Sequence, residues 1–254
     1  MTQHRPRIMI AGERSGVGKS TIAIGIISAL RARGLDVQPF KTGPDFLDPM
    51  HHDAVSLRRS RNLDTWMFPD FVQETFLRNS TGADISVLEG VMGLYDGYDG
   101  LSEEGSSAHL AKTLKCPIVL VLNAAASARS LGAVALGFQR YDPDANIVGV
   151  IFNNVGGKRH LDMLTASLRG VECIGGLPNI EEVGLKSRHL GLVPAAEDDN
   201  TSRYETIRKM MEEHLDMDRL VQLAYAAPDL EVQPAEVLPP FQARCRIGVA
   251  MDAA

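Results

Sequence analysis

Ile10-Ala11-Gly12-Glu13-Arg14-Ser15-Gly16-Val17-Gly18-Lys19-Ser20-Thr21 decides how the chain is read. An apolar run (Ile8, Met9, Ile10) enters a glycine-rich turn, and a lysine with two hydroxyls opens an apolar-periodic segment. That order is strand, phosphate loop, helix. Glycines let backbone N–H groups close around an anion, and the helix N-terminus favours negative charge. Lys19 can reach the β- and γ-phosphates, and the Ser20 hydroxyl suits Mg²⁺. The expected ligand is a nucleoside triphosphate, held by Gly16, Val17, Gly18, Lys19, Ser20 and Thr21. Gly12 and Gly18 enclose five residues, where the usual pattern has four.

Outward from the loop, residues 20–33 repeat apolar side chains at Ile22, Ile26 and Ala29, with Ala23, Ile27 and Leu30 beside them, and Gly34 stops the pattern. Compact apolar runs follow at Val37–Phe40, Ile85–Leu88, Pro117–Leu122 and Ile147–Phe152, with a last short one at Cys173–Leu177. Pro39 weakens the second strand's case for interior pairing. Helical patterns separate the runs at about 105–114, 127–140 and 157–169. Short buried strands alternating with helices predict an α/β fold, a mostly parallel sheet flanked by helices. A longer helix is predicted over about 201–226. Prolines at 228, 234, 239 and 240 then mark 227–244 as a linker, and 245–250 reads as a new strand.

The 254 residues, 44% hydrophobic and 23% charged, are ordinary for a globular chain. A net charge of -6 argues against general nucleic-acid binding. No apolar run is long enough for a membrane span, and the N-terminus lacks a signal-peptide core. Cys116, Cys173 and Cys245 lie far apart with no C-x-x-C, which fits free thiols in a reducing compartment. The cytoplasm is the default location, and a homodimer is left open.

The strands end in polar residues: Lys41, Glu89, Asn123 and Asn153. Open α/β sheets bind ligands beyond the carboxyl ends of their strands. The stretch from Lys41 to His52 follows a strand expected beside the phosphate loop and is dense in functional groups. Asp45 and Asp48 are candidate Mg²⁺ ligands, and Lys41 could neutralise a transferring phosphoryl group. Glu89, at a strand end, matches the second acidic element of phosphate-loop enzymes. His51 and His52 point different ways and suit a polar contact or a surface role better than metal ligation. The Gly93–Gly100 segment has the glycine spacing of a loop that closes over substrate. Arg58, Arg59 and Arg61 form a basic cluster that could bind carboxylates or simply face solvent.

Together, Gly-x-x-Ser-Gly-Val-Gly-Lys-Ser-Thr, Lys-x-Gly-Pro-Asp-Phe-Leu-Asp-Pro (41–49) and Glu-Gly-Val-Met-Gly-Leu-Tyr-Asp-Gly (89–97) resemble the cobyrinic acid a,c-diamide synthases. Ala-Arg-Ser (128–130), residues 149–160 and Arg-His-Leu-Gly-Leu-Val-Pro (188–194) extend the resemblance over nearly the whole chain. Dethiobiotin synthetases share the five-residue loop spacing. The resemblance implies a P-loop fold of the dethiobiotin synthetase-like type. It implies that ATP phosphorylates a carboxylate, and that ammonia then gives an amide at the a and c acetate arms of a tetrapyrrole. Ammonia would come from glutamine, through a C-terminal amidotransferase domain of which 245–254 would be the start, with 1–226 the synthetase domain. It places Mg²⁺ on Ser20 and Glu89, with Asp48 favoured to complete the metal shell and Asp45 open to either a metal or a catalytic role. It sets Lys19 and Lys41 at the γ-phosphate, Asp96 near the substrate carboxylate, and Asn153 and Asn154 at the nucleotide base. Arg58, Arg59 and Arg61 gain a plausible use against the polycarboxylate. Gly-Glu-Arg-Ser-Gly and Asn-Leu-Asp-Thr-Trp-Met lean slightly toward the related nickel-sirohydrochlorin enzymes. The alternatives are a dethiobiotin synthetase-like ligase and an ATP-driven partitioning switch of the ParA/MinD type; the switch carries a signature lysine where this chain has Arg14.

Overall fold

In the computed structural model, which describes residues 2–179, 187–188, 191–192, 201–231 and 248, a seven-stranded sheet carries the domain. Strand β1 (Thr2–Gln3) lies outside it, antiparallel to Leu230–Glu231. The sheet consists of β2 (Arg7–Gly12), β3 (Val37–Thr42), β4 (Arg61–Leu63), β5 (Ile85–Glu89), β6 (Ile118–Asn123), β7 (Ile147–Asn153) and β8 (Glu172–Gly176). Their order is β4-β3-β5-β2-β6-β7-β8, and every neighbouring pair is parallel. Ser187–Arg188 and Gly191–Leu192 form a separate antiparallel pair.

Strand side chains alternate between two cores. Ile8, Ile10, Val87, Val119 and Ile151 face α1 (Lys19–Ala32), α7 (Thr201–His214) and α8 (Met217–Tyr225). Met9, Leu88, Leu120 and Phe152 face α3 (Val72–Asn79), α4 (Ser107–Thr113), α5 (Ser130–Tyr141) and α6 (Lys158–Ser167). Covered on both sides, β2, β3 and β5 are buried at every position. Gly25 brings α7 close to α1, since a Cβ there would lie 2.6 Å from Met211 Cγ.

Some expectations change. The single helix read over 201–226 is two: Leu215 makes an isolated bridge to Gly175, and Asp216 caps α8 by accepting from Arg219 N at 2.8 Å. The stretch after Lys41 winds into α2 (Leu47–Ser56). Pro39 fits because β4 pairs only with Phe40–Thr42, so Pro39 has a neighbouring strand on one side alone. The strand expected beside the phosphate loop, β3, is separated from β2 by β5. Residues 227–231 of the expected linker pack back on the domain: Leu230 is buried, and Pro228 O accepts from Arg7 Nη2 at 2.6 Å. The rest of that linker, and the 245–250 strand apart from Gly248, lie outside the described residues. Among the described residues, no helix is long and apolar enough to cross a membrane.

Candidate functional site

The loop after β2 ends at Gly18, whose φ of 97° is the left-handed region that suits glycine. The first turn of α1 has no acidic residue and no side-chain cap, so its free N–H groups remain for an anion. Lys19 is buried, with Nζ donating to Arg14 O at 3.1 Å across its own loop. Burial lowers its pKa to about 8.

The asparagines at the ends of β6 and β7 brace this loop. Asn153 Nδ2 donates to Val17 O at 2.8 Å, and Asn153 Oδ1 accepts from Asn154 N at 2.9 Å. Asn154 Nδ2 donates to Asn123 Oδ1 at 2.9 Å, and Asn123 N donates to Glu13 Oε1 at 3.1 Å. A Cβ on Gly18 would sit 2.5 Å from Asn153 Nδ2. Gly18→Ala is therefore expected to cost about 2 kcal/mol or more from left-handed strain and the clash. Nucleotide affinity should fall with it; isothermal titration at unchanged affinity would show that the loop absorbs the methyl group.

At the ends of β3 and β5, Lys41 and Glu89 are paired in register. Lys41 Nζ donates to Asp48 Oδ2 at 2.5 Å and to Glu89 Oε1 at 2.8 Å. Ser20 Oγ donates to Glu89 Oε1 at 2.6 Å and lies 3.2 Å from Asp48 Oδ2. The sheet order thus brings the loop hydroxyl, two carboxylates and an ammonium to one point. Burial works to lower Lys41, but Glu89 and Asp48 hold it well above the usual lysine range. Burial works to raise Glu89, but Lys41 and His52 hold it well below the usual carboxylate range. Asp48 is pushed up to about 7 by burial and by Glu89, against the pull of Lys41.

A carboxyl raised in the folded state prefers to be protonated there. It costs the fold stability as pH rises from the unfolded value near 4 through about 7. Asp48→Asn removes that cost. Without nucleotide, it is expected to gain on the order of 1–3 kcal/mol at pH 8 and little at pH 5. Urea midpoints at the two pH values check this; a loss at pH 8 would mean the ion pair with Lys41 outweighs burial.

Asp45 is placed differently from Asp48. Its Oδ1 accepts from Leu47 N at 2.9 Å at the start of α2, and its Oδ2 is 3.8 Å from Lys41 Nζ. Among the described residues no three His, Cys, Asp or Glu side chains form a metal cage. The donors present are oxygen atoms of Ser20, Asp48 and Glu89, which fit Mg²⁺, an ion commonly held by one or two carboxylates plus substrate phosphates.

His51 and His52 are buried, not on the surface. His52, fully buried, contacts Glu89 Oε2 at 2.8 Å through Nε2 and Ser60 Oγ at 3.1 Å through Nδ1. No motif marks this role in the sequence; the i, i+4 spacing of Asp48 and His52 on α2 was the available signal. His51 shares a hydrogen bond with Tyr204 OH at 2.7 Å. Asp96 is exposed, accepts from Gly93 N at 2.8 Å, and is near enough for its charge to raise Lys19. The arginine cluster lies elsewhere. Arg58 pairs with Asp36 at 2.9 Å, before β3 begins, and Arg61 opens β4. Arg58 is thus at the amino end of β3, away from the site, whereas Arg61 lies in register with Phe40 and its Nε donates to Asn79 Oδ1 at 3.2 Å.

A parallel, doubly covered sheet with a phosphate loop and converging acids defines a P-loop nucleotide-binding domain. Residues 8–193 match the model described as "CobQ/CobB/MinD/ParA nucleotide binding domain", and the chain belongs to that family. It is similar to the cobyrinate a,c-diamide synthase of Priestia megaterium, 42% identical over 98% of this chain and 55% of that protein. It is also similar to the synthase of the same name from Archaeoglobus fulgidus, 43% identical over 89% of this chain and 50% of the relative. The chain therefore spans about half the length of the curated relatives it matches. Chloroplast FtsY from Physcomitrella patens, at 16% identity and a TM-score of 0.50, covers 81% of this chain and 65% of its own, and shares the fold.

Proposed function

We propose that this domain is the ATP-dependent half of a tetrapyrrole a,c-diamide synthase. ATP phosphorylates an acetate carboxylate of the macrocycle, and ammonia displaces phosphate to leave an amide. A carboxylate is a poor electrophile for ammonia, whereas an acyl phosphate is a good one. The observation that carries the reading is Lys41, held by Asp48 and Glu89 against Ser20 of the phosphate loop. It is a buried cation where a phosphoryl group would leave the nucleotide, and preorganised charge of this kind stabilises the transferring group. The relatives' printed names favour a ligase with a cobyrinate substrate.

In this reading Gly16, Val17 and Gly18 cradle the phosphates with Lys19, Ser20 and Thr21. Asn153 braces the loop, and Asn154 stands beside the base. Mg²⁺ on Ser20, Asp48 and Glu89 would neutralise phosphate charge. Asp45 fixes the start of α2, and Asp96 meets the carboxylate arm. Ammonia is drawn from glutamine by an amidotransferase domain C-terminal to this one, and the cytoplasm is the compartment.

The test is to incubate the chain with ATP, Mg²⁺ and ammonium, offer cobyrinic acid and nickel-sirohydrochlorin separately, and weigh the products. Conversion of two carboxyls to amides is expected on the cobalt corrinoid. Unchanged masses with both macrocycles, beside ATP turnover stimulated by another ligand, would sink the reading.

A further inference from the structure

Trp66, the chain's one tryptophan, stacks on Tyr98 with ring centroids 4.8 Å apart and planes 16° apart. Strand β3 is flanked by β4 and β5. Trp66 follows β4 and Tyr98 follows β5, so their contact joins the two loops that leave the carboxyl ends of the strands flanking β3, whose own end carries Lys41 and Thr42. Both rings stay open to water, Trp66 at 50% and Tyr98 at 64% exposure. Parallel stacking covers one face of each ring and leaves an outer face free.

The pair is held in place from below. Asp64 Oδ1 accepts from Trp66 N at 2.8 Å and from Met67 N at 2.9 Å. Tyr98 N donates to Glu104 O at 2.8 Å. Thr42 ends β3 and Thr65 precedes Trp66, and among the described residues their buried hydroxyls have no hydrogen-bond partner. A buried hydroxyl left unpaired is costly, and each is a donor that a carboxylate would accept. Phe46, 61% exposed at the start of α2, adds apolar surface at the same end of β3.

A rigid, water-exposed aromatic stack next to unpaired hydroxyls and a phosphoryl-handling lysine asks for a flat conjugated ligand edged with carboxylates. Resting on the function proposed above, we propose that the Trp66–Tyr98 pair is the seat of the macrocycle. Its conjugated ring lies on the outer aromatic face, and its carboxylate arms run over the end of β3 to Thr42, Thr65 and Lys41. Trp66 and Tyr98 are thereby residues that set specificity for a large planar substrate over a small linear one.

The test uses the chain with Mg²⁺, ATP and ammonium, with cobyrinic acid as probe. Because Trp66 is the sole tryptophan, its emission should be quenched saturably by cobyrinic acid, with the midpoint found by calorimetry. Trp66→Ala should raise the KM for cobyrinic acid about tenfold or more, the scale of a lost aromatic stack. The kcat and the ATP affinity should change less than about threefold, and Trp66→Phe should recover most of the loss. Tyr98→Leu, which keeps apolar bulk, should move KM the same way. If the parent chain amidates cobyrinic acid while Trp66→Ala and Tyr98→Leu leave KM unchanged, the seat is overturned and the functional reading stands. If the parent binds no tetrapyrrole while ATP still binds, both fall.

Discussion

Lys41→Met is expected to abolish amidation and to cost the protein about 3–5 kcal/mol of stability at the same time. Lys41 is 4% exposed and is shared by two carboxylates at 2.5 and 2.8 Å. Removing it leaves two buried acids facing one another with no cation, and breaking a buried pair from one side exposes the full desolvation cost of what remains. Because Asp48 can take up a proton, the stability loss should be smaller at pH 5 than at pH 8. Urea unfolding at both values measures it. Adding Asp48→Asn should restore most of the stability, since Glu89 then keeps Ser20 and His52, but none of the activity. A single variant less than about 1 kcal/mol weaker than the parent would show that water, not Lys41, compensates these acids.

Glu89→Gln is expected to lower the amidation rate by about a thousandfold or more, the scale of losing a preorganised charge at the reacting group. Glu89 accepts from Ser20, Lys41 and His52 and is 1% exposed. An amide turns one oxygen acceptor into a donor facing groups that already donate, so about 1–3 kcal/mol of stability goes as well. Glu89 is held below its unfolded value, so its contribution is complete above about pH 4 and fades as pH falls through the folded value. The stability difference between the variant and the parent should therefore shrink below about pH 4. A separate readout is the gain in ATP affinity on adding Mg²⁺, which Glu89→Gln should remove. A rate within tenfold of the parent would take Glu89 out of the site.

The ends of the strands were the legible part of this molecule. Lys41, Glu89, Asn123 and Asn153 each close an apolar run, and the parallel register sets Lys41 beside Glu89 and Asn123 beside Asn153. Strand direction alone delivers that, because parallel strands share one carboxyl edge. The partners were not legible. His52 reaches Glu89 only because α2 packs its side chain inward, and Asn153 is spent on Val17 O rather than standing free. The place of Arg58 was not legible either: three residues of β4 decide which end of the sheet it falls on, and a short edge strand has no hydrophobic signal of its own. The break between α7 and α8 had a local sign in Asp216, a capping residue inside an otherwise continuous pattern.

Arg7 is fully buried and donates to the carbonyls of Arg5, Leu114, Lys115 and Pro228. It stands at the opening of β2, a six-residue strand whose other end feeds the phosphate loop. The crown of carbonyls ties residues 228–231 to that distal edge of the sheet, one strand length or about 20 Å from Lys19. Chain that continues past residue 231 starts on the wrong side of the domain for chemistry at Lys41. Nascent ammonia released there faces a transit of that length through water, where it would be protonated and lost as a nucleophile. In the glutamine-fed reading proposed above, ammonia would have to reach Lys41 along a path sheltered from water over that length.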